Sequence, residues 1–330
     1  MIWYKDNNND IVISTRIRLA RNLNGVPFPN ALADKTEATE KIKSALGGGN
    51  STLAKELDFI NLDKAEPQHK ARLAEEHLIS PQMLNGKGQS VYVSKDHTMS
   101  IMLMEEDHIR LQVIMAGNAL DEAYDLADKI DNVIEESVTY AFDEDFGYLT
   151  ACPTNAGTGM RASLMLHLPA LTLTKNINNV IASANGMGIA VRGLYGEGSQ
   201  AQGNFYQISN QVTMGVSEKE IIEKLKTVTD RIIDMEQKAR EFLQKNSATE
   251  LADKVCRSYG ILKYAKKLSS AEAKALISDV MLGRGMGIIK ENGKIPPMEC
   301  MILSAPSLIG GELSAGERDK KRAEFISSNI

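Results

Sequence analysis

"STRIRLARN" (residues 14–22) sets Arg16, Arg18 and Arg21 close together, directly after the apolar run "IVI". The segment reads as a strand, and residues two apart on a strand share a face. Arg16 and Arg18 therefore point the same way. Two readings follow. The run is a solvated strand edge with alternating side chains, as short charged runs commonly are. Alternatively, Arg16 and Arg18 together hold an anion, which their planar forks suit.

Strand-like segments recur outward from this one, up to about residue 210. "SVYVS" (90–94) and "SIMLM" (100–104) precede "HIRLQVIM" (108–115), where Ile109, Leu111, Val113 and Met115 alternate with other residues. "LMLHLP" (164–169) is a further strand ended by Pro169, and "IASANGMGIAVRG" (181–193) holds a glycine-bounded turn and a short strand. Leu120, Ala123, Ala127, Ile130, Ile134 and Val138 recur at helical spacing and predict a helix over 118–141. Ser217 and Glu220 form a capping-box pattern, opening a long helix that turns Ile221, Leu225, Val228, Ile232, Met235 and Phe242 inward. Beyond about residue 244 the signals are almost all helical. The expected class is α+β: a mainly antiparallel sheet flanked by helices over residues 1–243, and an all-helical C-terminal domain over 244–330.

A chain of 330 residues, 43% hydrophobic and 25% charged, has the composition of a soluble globular protein and the length for two domains. Its net charge of -5 gives no electrostatic reason to expect direct nucleic-acid binding. The N-terminal "MIWYKDNNND" lacks the apolar core of a signal peptide, and no apolar run approaches the roughly 18–20 residues that cross a bilayer. Cys152, Cys256 and Cys300 are far apart, with no metal-ligand spacing. A cytoplasmic protein without a membrane segment is expected.

The usual nucleotide signatures are missing. There is no G-x-x-x-x-G-K-[ST], no H-R-D or D-F-G, and "GRGMG" (283–287) lacks the strand that a dinucleotide fingerprint needs. If a nucleotide binds, arginines must hold its phosphates. Arg110 follows Glu105, Glu106 and Asp107 in "MEEDHIRLQ" (104–112). Arg161 follows "CPTNAGTGM" (152–160), and Arg192 opens "RGLYGEGSQAQGNFYQISN" (192–210). Each alone is more readily a surface or structural arginine than a ligand; a carboxylate cluster, a Cys-Pro-Thr-Asn turn and a glycine-rich loop beside them point to chemistry.

In order and spacing, "STRIRLARN", "EEDHIR", "CPTNAGTGMRAS" and "RGLYGEGSQAQGNFYQISN" resemble the phosphagen kinases, the creatine- and arginine-kinase family, over roughly residues 11–242. Within that family the chain resembles the bacterial branch that phosphorylates arginine residues in proteins. Creatine and arginine kinases carry an N-terminal helical domain that helps enclose a free guanidino substrate. Here the first arginine motif begins at Ser14, so a site open to an arginine on another protein is expected. The helical unit after residue 244 is the other departure. It contains "RDKKRA" (318–323), which matches the R-D-x-x-R-A motif by which this branch recognises phosphoarginine, and which without the upstream motifs reads rather as a solvated helix face.

The resemblance implies an ATP site formed by Ser14, Thr15, Arg16, Ile17, Arg18, His77, Arg110, Arg161, Ala162, Ser163, Leu164, Met165, Arg192, Gly193, Leu194, Tyr195, Gly196 and Glu197. Arg16, Arg18, Arg110, Arg161 and Arg192 would grip the phosphates alongside Mg²⁺, leaving Arg21 structural. His77 would pack near adenine or serve as an ordinary loop histidine; Met165 stands where the small-molecule kinases have a histidine. A guanidinium has a pKa above about 12, so its nitrogen attacks poorly until a base takes a proton. Glu106 matches the family's catalytic carboxylate, Glu197 a second one on a closing loop, and Cys152 the reactive cysteine beside the guanidinium. Met104 replaces an asparagine, a change expected to loosen the turn that carries Glu106. Arg318, Asp319, Lys320, Lys321, Arg322 and Ala323 would bind phosphoarginine, Arg318 and Arg322 converging on its phosphate. The implied partners are protein substrates presenting arginine, a zinc-binding activator protein and an ATP-dependent protease, in a stress response, with the chain as a homo-oligomer. The competing readings are a kinase for free arginine or another small guanidino compound, and a non-catalytic phosphoarginine-binding adaptor.

Overall fold

In the computed structural model, which describes residues 2–5, 9–47, 55–193 and 202–330, the strand bearing Arg16 and Arg18 is interior. This strand, β1 (Val12–Arg21), belongs to an eight-stranded sheet with β2 (Leu57–Asn61), β3 (Ser90–Ser94), β4 (Met99–Leu103), β5 (Ile109–Ala116), β8 (Met160–His167), β9 (Ile189–Gly193) and β10 (Phe205–Asn210). The order is β2-β3-β4-β5-β1-β8-β10-β9, and every pairing is antiparallel. A two-stranded hairpin, β6 (Phe142–Asp143) and β7 (Gly147–Tyr148), stands apart. The solvated-edge reading of β1 is thereby corrected: β5 and β8 satisfy its backbone on both sides, so its arginines are paid for by another role.

Register decides which way each side chain goes, because residues directly opposite across an antiparallel pair share a face. Arg18 lies opposite Gln112 on β5 and Arg161 on β8, and Arg16 opposite Ile114 and Ser163. Arg110 lies opposite Ala20. Ser14 is opposite Met165, Met165 opposite Gln207, and Gln207 opposite Arg192. All five arginines therefore rise from one face. The intervening residues Ile17, Leu19, Leu111, Val113, Ala162, Leu164 and Ile208 enter the main core on the other.

That second face is covered by α1 (Thr36–Gly47), α3 (Leu120–Glu135), α5 (Ile177–Gly186) and α6 (Glu218–Asn246), through Ile42, Ile130, Ile134, Val180, Leu225 and Val228 among others. Each such side chain contributes roughly 1.5–3 kcal/mol when fully buried. The helix expected over 118–141 stops at Glu135, since the chain doubles back to set Tyr140 against Leu23 as a bridge. The capping box of α6 is formed: the Ser217 hydroxyl accepts from the Glu220 N–H, and Glu220 accepts from the Ser217 N–H at 2.7 Å.

Two residues assigned to the inner face of α6 are outside it. Met235 and Phe242 are 38% and 57% exposed, while Glu236, Ala239 and Arg240 are buried. The cause is polar. The short helix α4 (Pro169–Leu173) has no side-chain cap, and Glu236 accepts the N–H groups of Ala170 and Leu171, each at 3.0 Å. Arg240 then pairs with Glu236 at 3.0 Å. Apolar periodicity cannot register a carboxylate drawn inward to cap a neighbour.

The C-terminal helices are α7 (Ala248–Tyr264), α8 (Ser270–Gly285), α9 (Pro297–Leu303), α10 (Pro306–Gly310) and α11 (Ala315–Asn329). Their cluster, with Val255, Leu262, Ile277, Val280, Met301 and Ile326, also takes in Ile13, Ile114, Met165 and Phe205 from the arginine face of the sheet. The helical unit thus sits on the same face as the arginines. A third cluster joins α2 (Pro67–Glu75), through Leu73, to β3 and β4 through Val91, Val93 and Met102. The proposed junction after residue 243 falls within the last turn of α6. No helix among the described residues is long and apolar enough to cross a membrane.

Candidate active site

Arg16, Arg18 and Arg110 line a cavity of about 560 Å³ between the sheet and the helical unit. Arg161 adjoins them, opposite Arg18. Among the described residues no carboxylate pairs with Arg16, Arg18 or Arg161, and the buried Nε of Arg18 has no hydrogen-bond partner. Burial, then the neighbouring Arg110 and Arg161, push the Arg16 guanidinium down to about 10. Burial and the other arginines push Arg18 down further, and burial with Arg192 and Arg110 lowers Arg161. A half-buried group of like charges is costly without a counter-charge. The arrangement calls for a polyanion, and forked donors suit phosphate oxygens.

Much of the remaining lining is apolar. Ile79, Met102 and Met165 meet Met298, Met301 and Ile302 of α9 there. His77 lines the same cavity, in a left-handed conformation (φ 64) with its ring edge-on to Trp3 at 5.4 Å. Burial, with Arg16 nearby, lowers its imidazole to about 3, so it is neutral near pH 7. An apolar lining with one neutral ring suits a heteroaromatic base.

Arg18 and Arg110 also line a second cavity, of about 140 Å³, with Arg161, Glu106, Asp107, Cys152, Thr154 and Asn155. The turn before it is tightly held. Glu105 is bound by Arg110 through both oxygens at 2.8 Å and by the Ser80 hydroxyl at 2.5 Å. Burial would raise the Glu105 carboxyl, but Arg110 and Ser80 outweigh it and lower it. Asp107 accepts from Asn22 Nδ2 and the Ala151 N–H, both at 2.7 Å. Of three consecutive carboxylates only Glu106 is exposed toward the cavity. Partial burial, then Asp107 and Glu105, raise its pKa, opposed by Arg110 and a hydrogen bond with the Cys152 side chain. The Cys152 Sγ is 3.0 Å from the Thr154 hydroxyl. An exposed carboxylate with a raised pKa, at the rim of a small cavity, can hold a guanidinium and take a proton from it.

A family model for the ATP:guanido phosphotransferase C-terminal catalytic domain matches residues 37–239. The chain belongs to the ATP:guanido phosphotransferase family. A second model, the protein-arginine kinase McsB C-terminal domain, matches residues 248–330. A protein-arginine kinase of Caldanaerobacter subterraneus subsp. tengcongensis is 46% identical, covering 98% of both chains. That of Halothermothrix orenii is 47% identical over 97% of this chain and 93% of its own. Among solved structures, a lombricine kinase superposes with a TM-score of 0.62 at 25% identity, covering 70% of this chain and 68% of that one.

By sequence, Met104 is expected to loosen the turn that carries Glu106. It sits at φ 60, a left-handed conformation that asparagine tolerates better than methionine. The turn is nonetheless closed: the Met104 N–H donates to the His108 carbonyl at 3.1 Å, and its own carbonyl accepts from Gln89 Nε2 at 3.0 Å. Its side chain is fully buried in the main core, which packs the turn from beneath.

Strand alternation divides the expected ATP-site residues between the two faces of the sheet. The side chains of Thr15, Ile17, Ala162 and Leu164 face the core, where Thr15 bonds the Gly117 carbonyl at 2.7 Å. Ser14, Ser163 and Met165 share the arginine face. Arg192 is exposed on β9 and Gly193 ends that strand. Leu194, Tyr195, Gly196 and Glu197 lie outside the described residues. Arg21, out of phase with Arg18, turns inward to Asp131 of α3 at 2.7 Å and lies 3.6 Å over the Tyr148 ring.

Sequence reading missed Asn22 and His108. The His108 N–H donates to Asn22 Oδ1 at 2.9 Å, and His108 Nδ1 accepts from the Leu23 N–H at 3.0 Å. Its Nε2 must then carry the proton, donated to the Pro27 carbonyl at 2.9 Å. The signal was present, since both residues lie inside quoted motifs, but their amide and ring contacts are long-range.

The RDKKRA segment on α11 is split. Arg322 is buried, donating to the carbonyls of Ser304 and Leu268, each at 2.9 Å, and to Asp319 at 2.7 Å. Ala323 is in the core, and Lys320 and Lys321 are exposed. Arg318 instead lines a cavity of about 590 Å³ with Glu66, Gln68 and Glu75. The expected convergence of Arg318 and Arg322 on one phosphate is therefore corrected: Arg322 has been recruited to hold three segments together. Glu75 and Pro306 line both this cavity and the arginine cavity.

Proposed function

We propose that the chain transfers the γ-phosphoryl group of ATP to the guanidino group of arginine residues in proteins. Curated relatives of nearly full length are protein-arginine kinases, which supports the acceptor class. The observation that carries the site assignment is that Arg18 and Arg110 line both cavities. The nucleobase occupies the methionine-lined part, Arg16, Arg18, Arg110, Arg161 and Arg192 hold the phosphates, and the acceptor guanidinium enters beside Glu106 and Cys152. The guanidino nitrogen attacks phosphorus, its proton passes to Glu106, the bond to the β-phosphate oxygen breaks, and ADP leaves. The arginines stabilise charge spread over the transferring group. Glu197 is proposed as the second carboxylate.

Among the described residues no three carboxylate, histidine or cysteine side chains gather as a metal site. Mg²⁺ is accordingly assigned to the nucleotide's phosphates, its usual companions, and no step is routed through it. Arg318 and Asp319 are proposed to bind phosphoarginine, with Lys320, Lys321, Arg322 and Ala323 supporting that helix. The family resemblance further supports a cytoplasmic homo-oligomer working in a stress response with a zinc-binding activator protein and an ATP-dependent protease.

Parallel kinetics with free arginine and with an unfolded, arginine-containing protein test the acceptor class. A higher kcat/KM for the protein is expected; preference for free arginine would select the small-molecule reading.

A further inference from the structure

The exposed apolar side chains Phe142, Phe146, Leu149, Val212 and Met214 lie on two chain segments that meet beside the active site. Phe142, Phe146 and Met214 line one groove of about 380 Å³. The two phenylalanines are 58% and 55% exposed although they sit on a fixed hairpin. Contiguous exposed aromatics of this kind mark an interaction surface.

The groove is preformed. The Tyr148 N–H donates to the Gly157 carbonyl at 2.8 Å, the Thr158 N–H to Thr213 at 2.9 Å, and the Thr213 hydroxyl to Ala156 at 2.7 Å. Gly157 has φ +103, and a Cβ there would lie 2.2 Å from the Thr213 oxygen. These segments pack backbone to backbone, which spares a binding partner the cost of ordering them.

Its charge is one-sided. Asp145, Glu218 and Glu220 line it, and no lysine or arginine does. Glu220 is engaged by Ser217, which leaves Asp145 and Glu218 to face a ligand. The loop over 152–159 joins the groove to the guanidino cavity: Cys152, Thr154, Asn155 and Gly159 line the cavity, Gly157 and Thr158 the groove.

We infer that this groove docks the polypeptide segment flanking the target arginine, and that it selects segments carrying an apolar side chain and a second cation near that arginine. The inference rests on the protein-acceptor reading. Aromatic side chains take the apolar residue, while Asp145 and Glu218 attract the second positive charge and speed encounter.

The test compares three synthetic acceptors: a peptide with arginine between leucine and lysine, one with arginine between glycine and aspartate, and Gly-Arg-Gly. The parent should favour the leucine–lysine peptide. Phe142→Ala with Phe146→Ala should raise its KM about tenfold, the scale of a lost contact of about 1.4 kcal/mol, leaving the ATP KM and Gly-Arg-Gly turnover unchanged. Asp145→Lys with Glu218→Lys should move the preference to the aspartate peptide. Unchanged leucine–lysine KM in both variants overturns the inference, as does an equal loss on Gly-Arg-Gly. A shift in oligomeric mass without a KM change would mean that a second copy occupies the groove. If the parent phosphorylates no peptide, the protein-acceptor reading fails first and the inference with it.

Discussion

Asn22 donates to Asp107 at 2.7 Å, tying the end of the arginine strand to the turn that presents Glu106. Asn22 also donates to the Leu149 carbonyl at 3.0 Å, and Asp107 accepts from the Ala151 N–H, next to Cys152. One amide therefore sets the position of both Glu106 and Cys152 without lining the cavity itself. Asn22→Ala should lower kcat at least tenfold, the usual penalty for loosening a placed catalytic group, with the ATP KM unchanged. Leaving buried Asp107 short of a donor costs about 1–3 kcal/mol, so Tm should fall too. Parental kcat in this variant would remove Asn22 from the positioning role.

Arg18 should trade stability for activity. It is half-buried among cations, and its buried Nε has no hydrogen-bond partner, so Arg18→Met relieves a partly desolvated charge. The expected result is a Tm equal to or above the parent's, with phosphoryl transfer down about 10²-fold or more. The rise in Tm that ATP gives the parent by binding the native state should disappear. A large loss of stability in the absence of ATP would show that Arg18 is structural.

His167 gives a pH dependence. Burial, then Arg240, lower its pKa to about 3, and its Nδ1 donates to the Asp10 carbonyl at 3.3 Å. Its Nε2 accepts from the Ser278 hydroxyl at 2.8 Å, joining the sheet to α8. The unfolded histidine titrates near 6.5, so between 6.5 and about 3 the unfolded state binds the extra proton. Stability from this group is intact above 6.5 and falls as pH drops through that window, by up to about 1.4 kcal/mol per pH unit. Unfolding titrations should show that the pH slope between 6 and 4 is shallower in His167→Gln. An unchanged slope would assign the acid sensitivity elsewhere.

Arg318 and Arg322 should separate cleanly. Arg322→Ala breaks a buried pair and should cost about 3–5 kcal/mol, seen as a lower Tm. Arg318→Ala, at an open cavity, should keep Tm and lose phosphoarginine binding in calorimetric titration. Equal phosphoarginine affinity in Arg318→Ala and the parent would leave RDKKRA a structural helix segment.

The arginine strand, the capping box of α6 and the turn to helices after residue 244 were legible because each is a local pattern. Ile17 and Leu19 alternate with Arg16 and Arg18, and alternation survives folding unchanged. It could also have excluded Ile17, Ala162 and Leu164 as side-chain ligands, which the motif match carried along. Glu236 and Arg322 were illegible for the opposite reason. Both are charged residues drawn inward by backbone groups far away in sequence, at Ala170, Leu171, Ser304 and Leu268. Asn22 and His108 belong with them: their residue types were in view, and their partners were not.

Glu106 carries the central claim, as the carboxylate that takes the guanidino proton. The direct measurement is mass spectrometry of an unfolded protein substrate after incubation with ATP, at a pH that preserves phosphoramidates, with parent and Glu106→Gln side by side. Glutamine keeps the shape but accepts no proton, so the variant should fall about 10²-fold or more with its circular dichroism unchanged. Phosphate on arginine in the parent and none in the variant is the expected result. Phosphate confined to other side chains, or arginine phosphorylated equally by Glu106→Gln, would contradict it.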